Sequence, residues 1–154
     1  MMPDSLVVRD FREGDARAIA RLHEASKESF EDAEVSEEFI KDIAERCDFR
    51  FFVSASGGEV VGFAGVLYHA SVGRSEVGPI CVRSDLRHRG VGGRLLRHSI
   101  GFLRGVRVRR VIAKVKAENH AALGFFRQAG FADEGLFRSY TLRGEDVIQL
   151  VCFI

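Results

Sequence analysis

Residues 80–94 read ICVRSDLRHRGVGGR, and this stretch is the most informative part of the sequence. A hydrophobic segment typical of a buried strand leads into a polar loop, after which a helical pattern begins. Three glycines stand at the start of that helix: Gly90, Gly92 and Gly93. Without a Cβ they let backbone N–H groups approach a ligand closely, and the positive end of the helix dipole favours an anion. Three arginines add positive charge, which together with the glycines predicts a phosphate-binding loop: Arg87, Arg89 and Arg94.

The loop does not match the two common nucleotide-binding loops. It has no Lys-Ser/Thr pair after the glycines, which a triphosphate-hydrolysing P-loop needs. It also lacks the full G-x-G-x-x-G pattern and the acidic residue about 20 positions further on that a dinucleotide-binding fold requires. Glycines at the start of a helix can also be purely structural, so the pattern alone leaves that interpretation open.

Composition and length favour one soluble globular domain spanning residues 1–154. The 154 residues are 46% hydrophobic and 29% charged, with a net charge of +1. No apolar run reaches the ~18 residues that cross a bilayer, and the first residues show no secretory signal pattern, so we expect a cytoplasmic protein without a membrane partner. Three well-separated cysteines and five histidines show no metal-ligand spacing, so no metal site is predicted.

Charge is distributed unevenly along the chain. Nine acidic and two basic residues lie between Glu24 and Glu45, whereas nine arginines and one acidic residue, Asp85, lie between Arg83 and Arg110. A basic run attracts phosphate-bearing partners and an acidic run attracts cations. Either run can also be a solvated helix face, and only the basic run has the glycine loop as additional support.

The periodicity of hydrophobic residues predicts a mixed α/β (α+β) domain built around one central sheet. Strands are predicted at residues 6–11, 51–55, 59–67, 76–82, 110–115, 131–142 and 146–153. Helices are predicted at residues 15–30, 36–46, 93–103 and 120–129. Turn and cap residues mark several boundaries: Asp15, Ser36, Gly57-Gly58, Gly130 and Arg143-Gly144.

Two motifs, in this order, make the chain resemble the GNAT acyltransferase superfamily. The family motif R/Q-x-x-G-x-G/A matches Arg87, Gly90 and Gly92, preceded by a hydrophobic strand that ends in Val82. A second motif, N-x-x-A-x-x-F-F-x-x-x-G-F, matches residues 119–131. The resemblance covers nearly the whole chain. It implies a GNAT-like mixed, largely antiparallel central sheet flanked by about four helices.

The resemblance also implies acetyl-CoA, or a related acyl-CoA, as the acyl donor. Backbone amides of the loop would hold its pyrophosphate: Arg87, His88, Arg89, Gly90, Val91, Gly92, Gly93 and Arg94. Pantetheine would lie along a strand edge that acts as a substitute neighbouring strand, at Ile80, Cys81 and Val82. The family splays its sheet beside this strand, and the gap admits the thioester. Asn119 and Phe126 would face the cofactor, and Asn119 is also suited to cap the helix that follows it.

The candidate catalytic residues for acyl transfer are Glu76 and Tyr140. An amine must be neutral to attack a thioester, and losing the proton at neutral pH costs about 4 kcal/mol for an alkyl amine but only about 1 to 2 kcal/mol for an α-amine. Histone-type family members place a catalytic glutamate on this strand, so Glu76 is the candidate general base, although it also suits a surface salt bridge. Many members have a tyrosine general acid where this chain has Phe126, which has no proton to give. Either the thiolate leaves unaided, or Tyr140 or Tyr68 reaches the sulfur, with Tyr140 the preferred candidate.

The expected function is direct transfer of an acetyl group to a primary amine of a small molecule, peptide or protein in a ternary complex. A GNAT-like sensor that binds acyl-CoA without turnover is the alternative, supported by Phe126. Nucleic-acid binding through the arginines is not expected, because aromatic stacking residues are scarce among them. In the family the first two helices border the acceptor groove, so the acidic run predicts a cationic acceptor. Family members often dimerise, which leaves a homodimer open.

Overall fold

The computed structural model describes residues 5–30 and 35–154, and within them a seven-stranded sheet carries four α-helices on its two faces. The strands are β1 (Val7–Asp10), β2 (Phe49–Ser56), β3 (Glu59–His69), β4 (Arg74–Val82), β5 (Arg110–Lys116), β6 (Ala132–Phe137) and β7 (Val147–Phe153). The helices are α1 (Ala16–Ala25), α2 (Glu37–Ala44), α3 (Val91–Gly105) and α4 (His120–Gln128). No helix in the described ranges is long and apolar enough to cross a membrane.

The sheet is mixed and largely antiparallel. Its strand order is β1-β2-β3-β4-β5-β7-β6, and β4 with β5 is the parallel pair. The crossover between these two strands contains α3, as a parallel connection requires. Order, direction and helix number confirm the predicted fold class.

The two faces of the sheet bury separate hydrophobic clusters. On one face, Leu96 and Leu103 of α3 and Leu123 of α4 pack against Val77 and Val111. On the other face, α1 and α2 cover the first strands with residues such as Ile19 and Ile40. Side chains alternate between the two faces along a strand. The residues adjacent to Val77 in β4 and to Val111 in β5 therefore point toward the α1 face.

Four of the boundary residues act as the sequence predicts. Gly57 and Gly58 have φ angles of +59° and +81° and make the β2–β3 hairpin turn, which favours glycine. The Ser36 side chain accepts a hydrogen bond from the Phe39 amide at 3.1 Å and caps α2. Gly130 ends α4 with a φ of +97°.

Asp15 precedes α1 as predicted, but its carboxylate makes different bonds from a helix cap. It accepts two hydrogen bonds from the Arg9 guanidinium, at 2.8 and 2.9 Å, and one from the Arg12 amide at 2.7 Å. Burial raises the pKa of this carboxyl group, yet the Arg9 and Arg12 hydrogen bonds outweigh it and the net pKa is lowered. The bidentate pair ties β1 to the start of α1.

Two predicted elements are too long. The first helix ends at Ala25 rather than continuing to residue 30, and a short 3₁₀ turn follows at Lys27–Ser29. The strand predicted at 131–142 stops at Phe137, and Tyr140 therefore lies in the β6–β7 loop (residues 138–146) rather than on a strand. Side-chain bonds within that loop compete with the strand ladder, because Asp146 accepts from the Ser139 amide and Thr141 accepts from the Glu145 amide.

Strands β4 and β5 separate soon after they begin. They pair at three positions, from Arg74 with Arg110 to Glu76 with Ile112. Beyond this point β5 remains paired with β7 along its whole length, while β4 remains paired with β3. A β-bulge bends β4 where it leaves its neighbour, since Gly65 faces the two residues Gly78 and Pro79. The result is an opening in the middle of the sheet.

We expect Gly65→Ala to destabilise the protein by roughly 1–3 kcal/mol, because an added methyl group overpacks the bulge. A Cβ at Gly65 would lie 2.8 Å from Cζ of Phe49 and 3.1 Å from the Gly78 carbonyl oxygen. Urea unfolding measures the change. The control is Gly101→Ala on α3, where a Cβ meets nothing within 4 Å and helix propensity should raise stability by up to about 1 kcal/mol. Unchanged stability of Gly65→Ala would contradict the proposed packing.

Candidate active site at the strand opening

The N-terminus of α3 presents backbone N–H groups to one end of the opening. Gly90 precedes the helix with a φ of +83°, and His88 adopts a φ of +61° in the loop before it. The Arg94 amide donates to the Gly90 carbonyl at 3.1 Å. The preceding amides of Val91 and Gly92 have no carbonyl one turn earlier in the helix. Such an array of amides at the positive end of a helix dipole is suited to an anion.

Packing favours glycine at position 92, in addition to the predicted approach of a ligand. A Cβ there would lie 3.2 Å from Cε1 of Phe125 and 3.9 Å from Cγ2 of Val82. The Phe125 ring of α4 thus packs against the first turn of α3. The sequence indicates the role in ligand approach, whereas the contact with Phe125 depends on a residue 33 positions away and has no local signal.

The arginine side chains of the loop have partners within the protein. Arg87 donates to the Val82 carbonyl at 3.2 Å and to the Ser26 hydroxyl at 2.9 Å, which fastens the loop to the end of α1. Arg94 donates to the Leu6 carbonyl at 3.2 Å, next to β1. His88 and Arg89 are exposed at the loop surface. The amides at the start of α3 are therefore the most direct candidates for anion contacts, and the side-chain contacts with phosphate stay predictions.

The edge of β4 that faces the opening includes the three residues predicted to run beside pantetheine. Ile80 and Val82 are partly buried and Cys81 is buried. The six residues of β4 after Glu76 span about 20 Å of extended backbone. This edge runs from the end of the β4–β5 pairing to the loop before α3. A ligand with a long flexible arm ending in phosphates could therefore lie along it.

Cys81 is not arranged as a nucleophile. Burial raises the pKa of its thiol to about 12, and the nearby Arg87 charge and Ser26 hydroxyl oppose this only in part. A thiol with such a pKa is protonated at neutral pH, and the thiolate is the reactive species. A covalent acyl-cysteine intermediate therefore has no support at this position.

Asn119 and Phe126 occupy structural positions on α4. The Asn119 side chain accepts a hydrogen bond from the Ala122 amide at 3.1 Å, so its predicted role as a helix cap is confirmed. Phe126 is 7% exposed and packs edge-on against Phe131 in the core. Contacts of Asn119 and Phe126 with CoA stay predictions.

The structure brings the two predicted catalytic residues together around a lysine. The Lys114 ammonium lies 3.4 Å from the Glu76 carboxylate and donates to the Tyr140 hydroxyl, also at 3.4 Å. It also lies 5.7 Å from the centre of the Tyr140 ring. Burial lowers the pKa of Lys114, but Glu76 and Tyr140 raise it more, so the pKa lies above its usual value and the ammonium remains charged.

Lys114 is the residue that sequence analysis missed. It lies two residues beyond Ile112, the last β5 residue paired with β4, and so on the same face as Glu76. A lysine in the middle of a central strand, with the alternation Lys114-x-Lys116, was the available signal. Within the described ranges, no group of three or more His, Cys, Asp or Glu side chains could hold a metal ion.

A family model described as "Acetyltransferase (GNAT) family" matches residues 16–131. The chain belongs to the acetyltransferase (GNAT) family. This confirms the resemblance seen in the sequence and the enzyme class, an acyl-CoA-dependent N-acyltransferase.

Two relatives are similar to large parts of the chain. It is 40% identical over 90 residues to N-alpha-acetyltransferase RimI of Mycobacterium tuberculosis, an alignment that covers 55% of this chain and about half (53%) of that protein. It is 30% identical over 110 residues to the L-amino acid N-acetyltransferase AaaT of Escherichia coli, covering 70% of this chain and 68% of that protein.

The fold is also that of solved acetyltransferases. The structure of Arabidopsis thaliana NAA60 in complex with acetyl-CoA superimposes with a TM-score of 0.82 at 18% identity, covering 97% of this chain and 99% of that one. At this identity the likeness concerns the fold alone. The family uses acetyl-CoA, and this neighbour binds it on the same architecture.

Alkylation with iodoacetamide at pH 8 should distinguish two of the cysteines. Cys47 is exposed and should react rapidly, whereas Cys81 is buried with a raised pKa and should react only on unfolding. Peptide mass spectrometry reads each site, with the protein in urea as the positive control. Rapid labelling of Cys81 in the native protein would contradict its description as an inert core residue.

Gly92→Asp should abolish measurable CoA binding while leaving the protein folded. The substitution places a carboxylate among the amides at the start of α3, where it repels phosphate and also crowds Phe125. Calorimetry with CoA measures binding, and circular dichroism checks the fold. Gly101→Asp introduces the same charge further along α3, where a Cβ has open space, and should retain affinity. Equal affinities of the two variants would count against the α3 site.

Proposed function

We propose that this protein transfers the acetyl group of acetyl-CoA directly to the α-amine of a peptide or protein N-terminus. The observation that carries the proposal is the position of the Glu76, Lys114 and Tyr140 cluster at the point where the β4–β5 pairing ends. From there the free edge of β4 leads to the amides of α3. The two ends of this path suit the two ends of acetyl-CoA, with the thioester at the cluster and the pyrophosphate at the helix.

The reaction proceeds in a ternary complex without an acyl-enzyme. The amine nitrogen forms a bond with the acetyl carbon, the bond between carbon and the CoA sulfur breaks, and CoA leaves as its thiol. Glu76 accepts the proton that the amine gives up, and Tyr140 gives its hydroxyl proton to the sulfur. The raised pKa and buried position of Cys81 support direct transfer over a cysteine intermediate.

Lys114 supports both proton transfers from its place between the two groups. Its charge stabilises the Tyr140 phenolate that forms when the sulfur is protonated. The same ammonium pairs with the Glu76 carboxylate at 3.4 Å and holds it beside the opening. A weak base is sufficient for an α-amine, because removing its proton at neutral pH costs only about 1 to 2 kcal/mol.

An α-amine acceptor also agrees with what the relatives are named for. One is an N-alpha-acetyltransferase and the other acetylates L-amino acids. The cationic acceptor suggested by the acidic run gains less support, because the residues around the opening include Lys114 and Lys116, each paired with a glutamate. Part of the acidic run, residues 31–34, lies outside the described residues.

With a peptide carrying a free N-terminal α-amine as acceptor, Glu76→Gln and Tyr140→Phe should each lower kcat by about 100-fold or more, the effect of losing a proton-transfer group. CoA affinity should be unchanged in both, because neither residue lies at the start of α3. Release of the CoA thiol measures turnover. Tyr68→Phe is the matched control, since Tyr68 packs against Phe102 on the other face and should keep full activity.

A different set of results would identify the sensor alternative. If the native protein binds acetyl-CoA tightly but acetylates no peptide α-amine, free amino acid or polyamine, the transferase proposal fails. If transfer occurs and both substitutions leave kcat unchanged, the function stands and the assigned roles of Glu76 and Tyr140 fail.

A further inference from the structure

Lys116, the last residue of β5, has a nearly buried ammonium held by two distant segments. Its side chain is 11% exposed. The ammonium donates to the Glu28 carbonyl oxygen at 2.9 Å and lies 3.2 Å from the Glu145 carboxylate. Glu28 belongs to the short turn after α1, and Glu145 belongs to the β6–β7 loop. Burying a lysine charge is costly unless it is paired, so these contacts must offset a desolvation penalty.

Glu145 connects this lysine to the position of Tyr140. Its carbonyl oxygen accepts hydrogen bonds from the amides of Tyr140, at 2.9 Å, and Thr141, at 3.3 Å. Its carboxylate accepts from the Thr141 hydroxyl at 3.0 Å. The Lys116 ammonium, followed by Thr141, lowers the pKa of the Glu145 carboxyl group, so Glu145 faces the ammonium as a carboxylate at neutral pH. The backbone that carries Tyr140 is thus fixed to the residue that Lys116 holds.

Lys116 lies on the same face of β5 as Lys114, which contacts Tyr140 and Glu76. The turn after α1 and the β6–β7 loop both approach the end of β5 on this face. The single ammonium of Lys116 therefore joins two segments that lie beside the opening on its α1 face.

We infer that Lys116 is a positioning residue that ties the turn after α1 to the β6–β7 loop and so sets the width of the approach to the opening for the acceptor amine. The kinetic part of this inference rests on the proposed function, whereas the structural tie between the two segments does not. Lys116 need not contact either substrate to act in this way.

The test is Lys116→Met, which keeps an unbranched side chain but removes the charge and its donors. Amide hydrogen exchange in residues 26–30 and 138–146 should accelerate by about tenfold, the equivalent of one lost charge-assisted hydrogen bond. The KM for the peptide acceptor should rise by about tenfold, while the KM for acetyl-CoA stays the same. Lys116→Arg should restore both properties in part.

Lys41→Met is the matched control, because Lys41 makes surface ion pairs with Glu37 and Glu13, at 3.6 and 3.9 Å. It should change neither exchange in the two segments nor the KM for the acceptor. If Lys116→Met does not fold, Glu145→Gln removes the ion pair at the surface and should accelerate exchange in residues 138–146.

Two results separate failure of this inference from failure of the proposed function. Unchanged exchange in both segments of a folded Lys116→Met protein would overturn the tie, whatever the activity. Equal increases in both KM values would overturn its specific effect on the acceptor. A native protein without turnover would refute the proposed function, and the exchange measurement would still decide whether Lys116 joins the two segments.

Discussion

The early separation of β4 from β5 is the constraint on which the site depends. A strand edge inside a sheet normally pairs with its neighbour, yet these strands pair at only three positions. Each strand is held on its other side, β4 by β3 and β5 by β7, so the opening follows from the strand pairing itself. The bulge at Gly78 and Pro79 bends β4 outward, and Gly65 on β3 leaves the space that this bend needs.

The opening also explains why polar groups collect where they do. Glu76 and Lys114 belong to strands in the middle of the sheet, where neighbours would usually bury them, but the separation leaves each side chain about one third exposed. Their ion pair therefore lies in contact with solvent beside an apolar core. The loop carrying Tyr140 completes the cluster from a third element. If β4 and β5 stayed paired at this point, the sheet would have no room for a thioester, and the charged side chains of Glu76 and Lys114 would be buried between neighbours.

Local patterns made much of this architecture predictable. The hairpin glycines, the Ser36 cap, the hydrophobic periodicity and the glycine-rich start of α3 each involve residues within one turn or strand, so the sequence contains the whole signal. The rest depends on contacts between distant residues. Lys116 contacts Glu28, which lies 88 positions earlier in the sequence, and Arg87 contacts Ser26, which lies 61 positions earlier. The length of β6 was misjudged because side-chain bonds in the following loop replace the strand ladder, and apolar alternation does not report such bonds.

The most direct test of the account is an NMR titration of the ¹⁵N-labelled protein with acetyl-CoA, following each backbone amide. Binding along the β4 edge and at the start of α3 predicts that the largest shifts occur at Gly90, Val91, Gly92 and Gly93, with further shifts at residues 80–82. Saturable binding that moves other amides and leaves these unchanged would contradict the assignment of the opening as the acyl-CoA site.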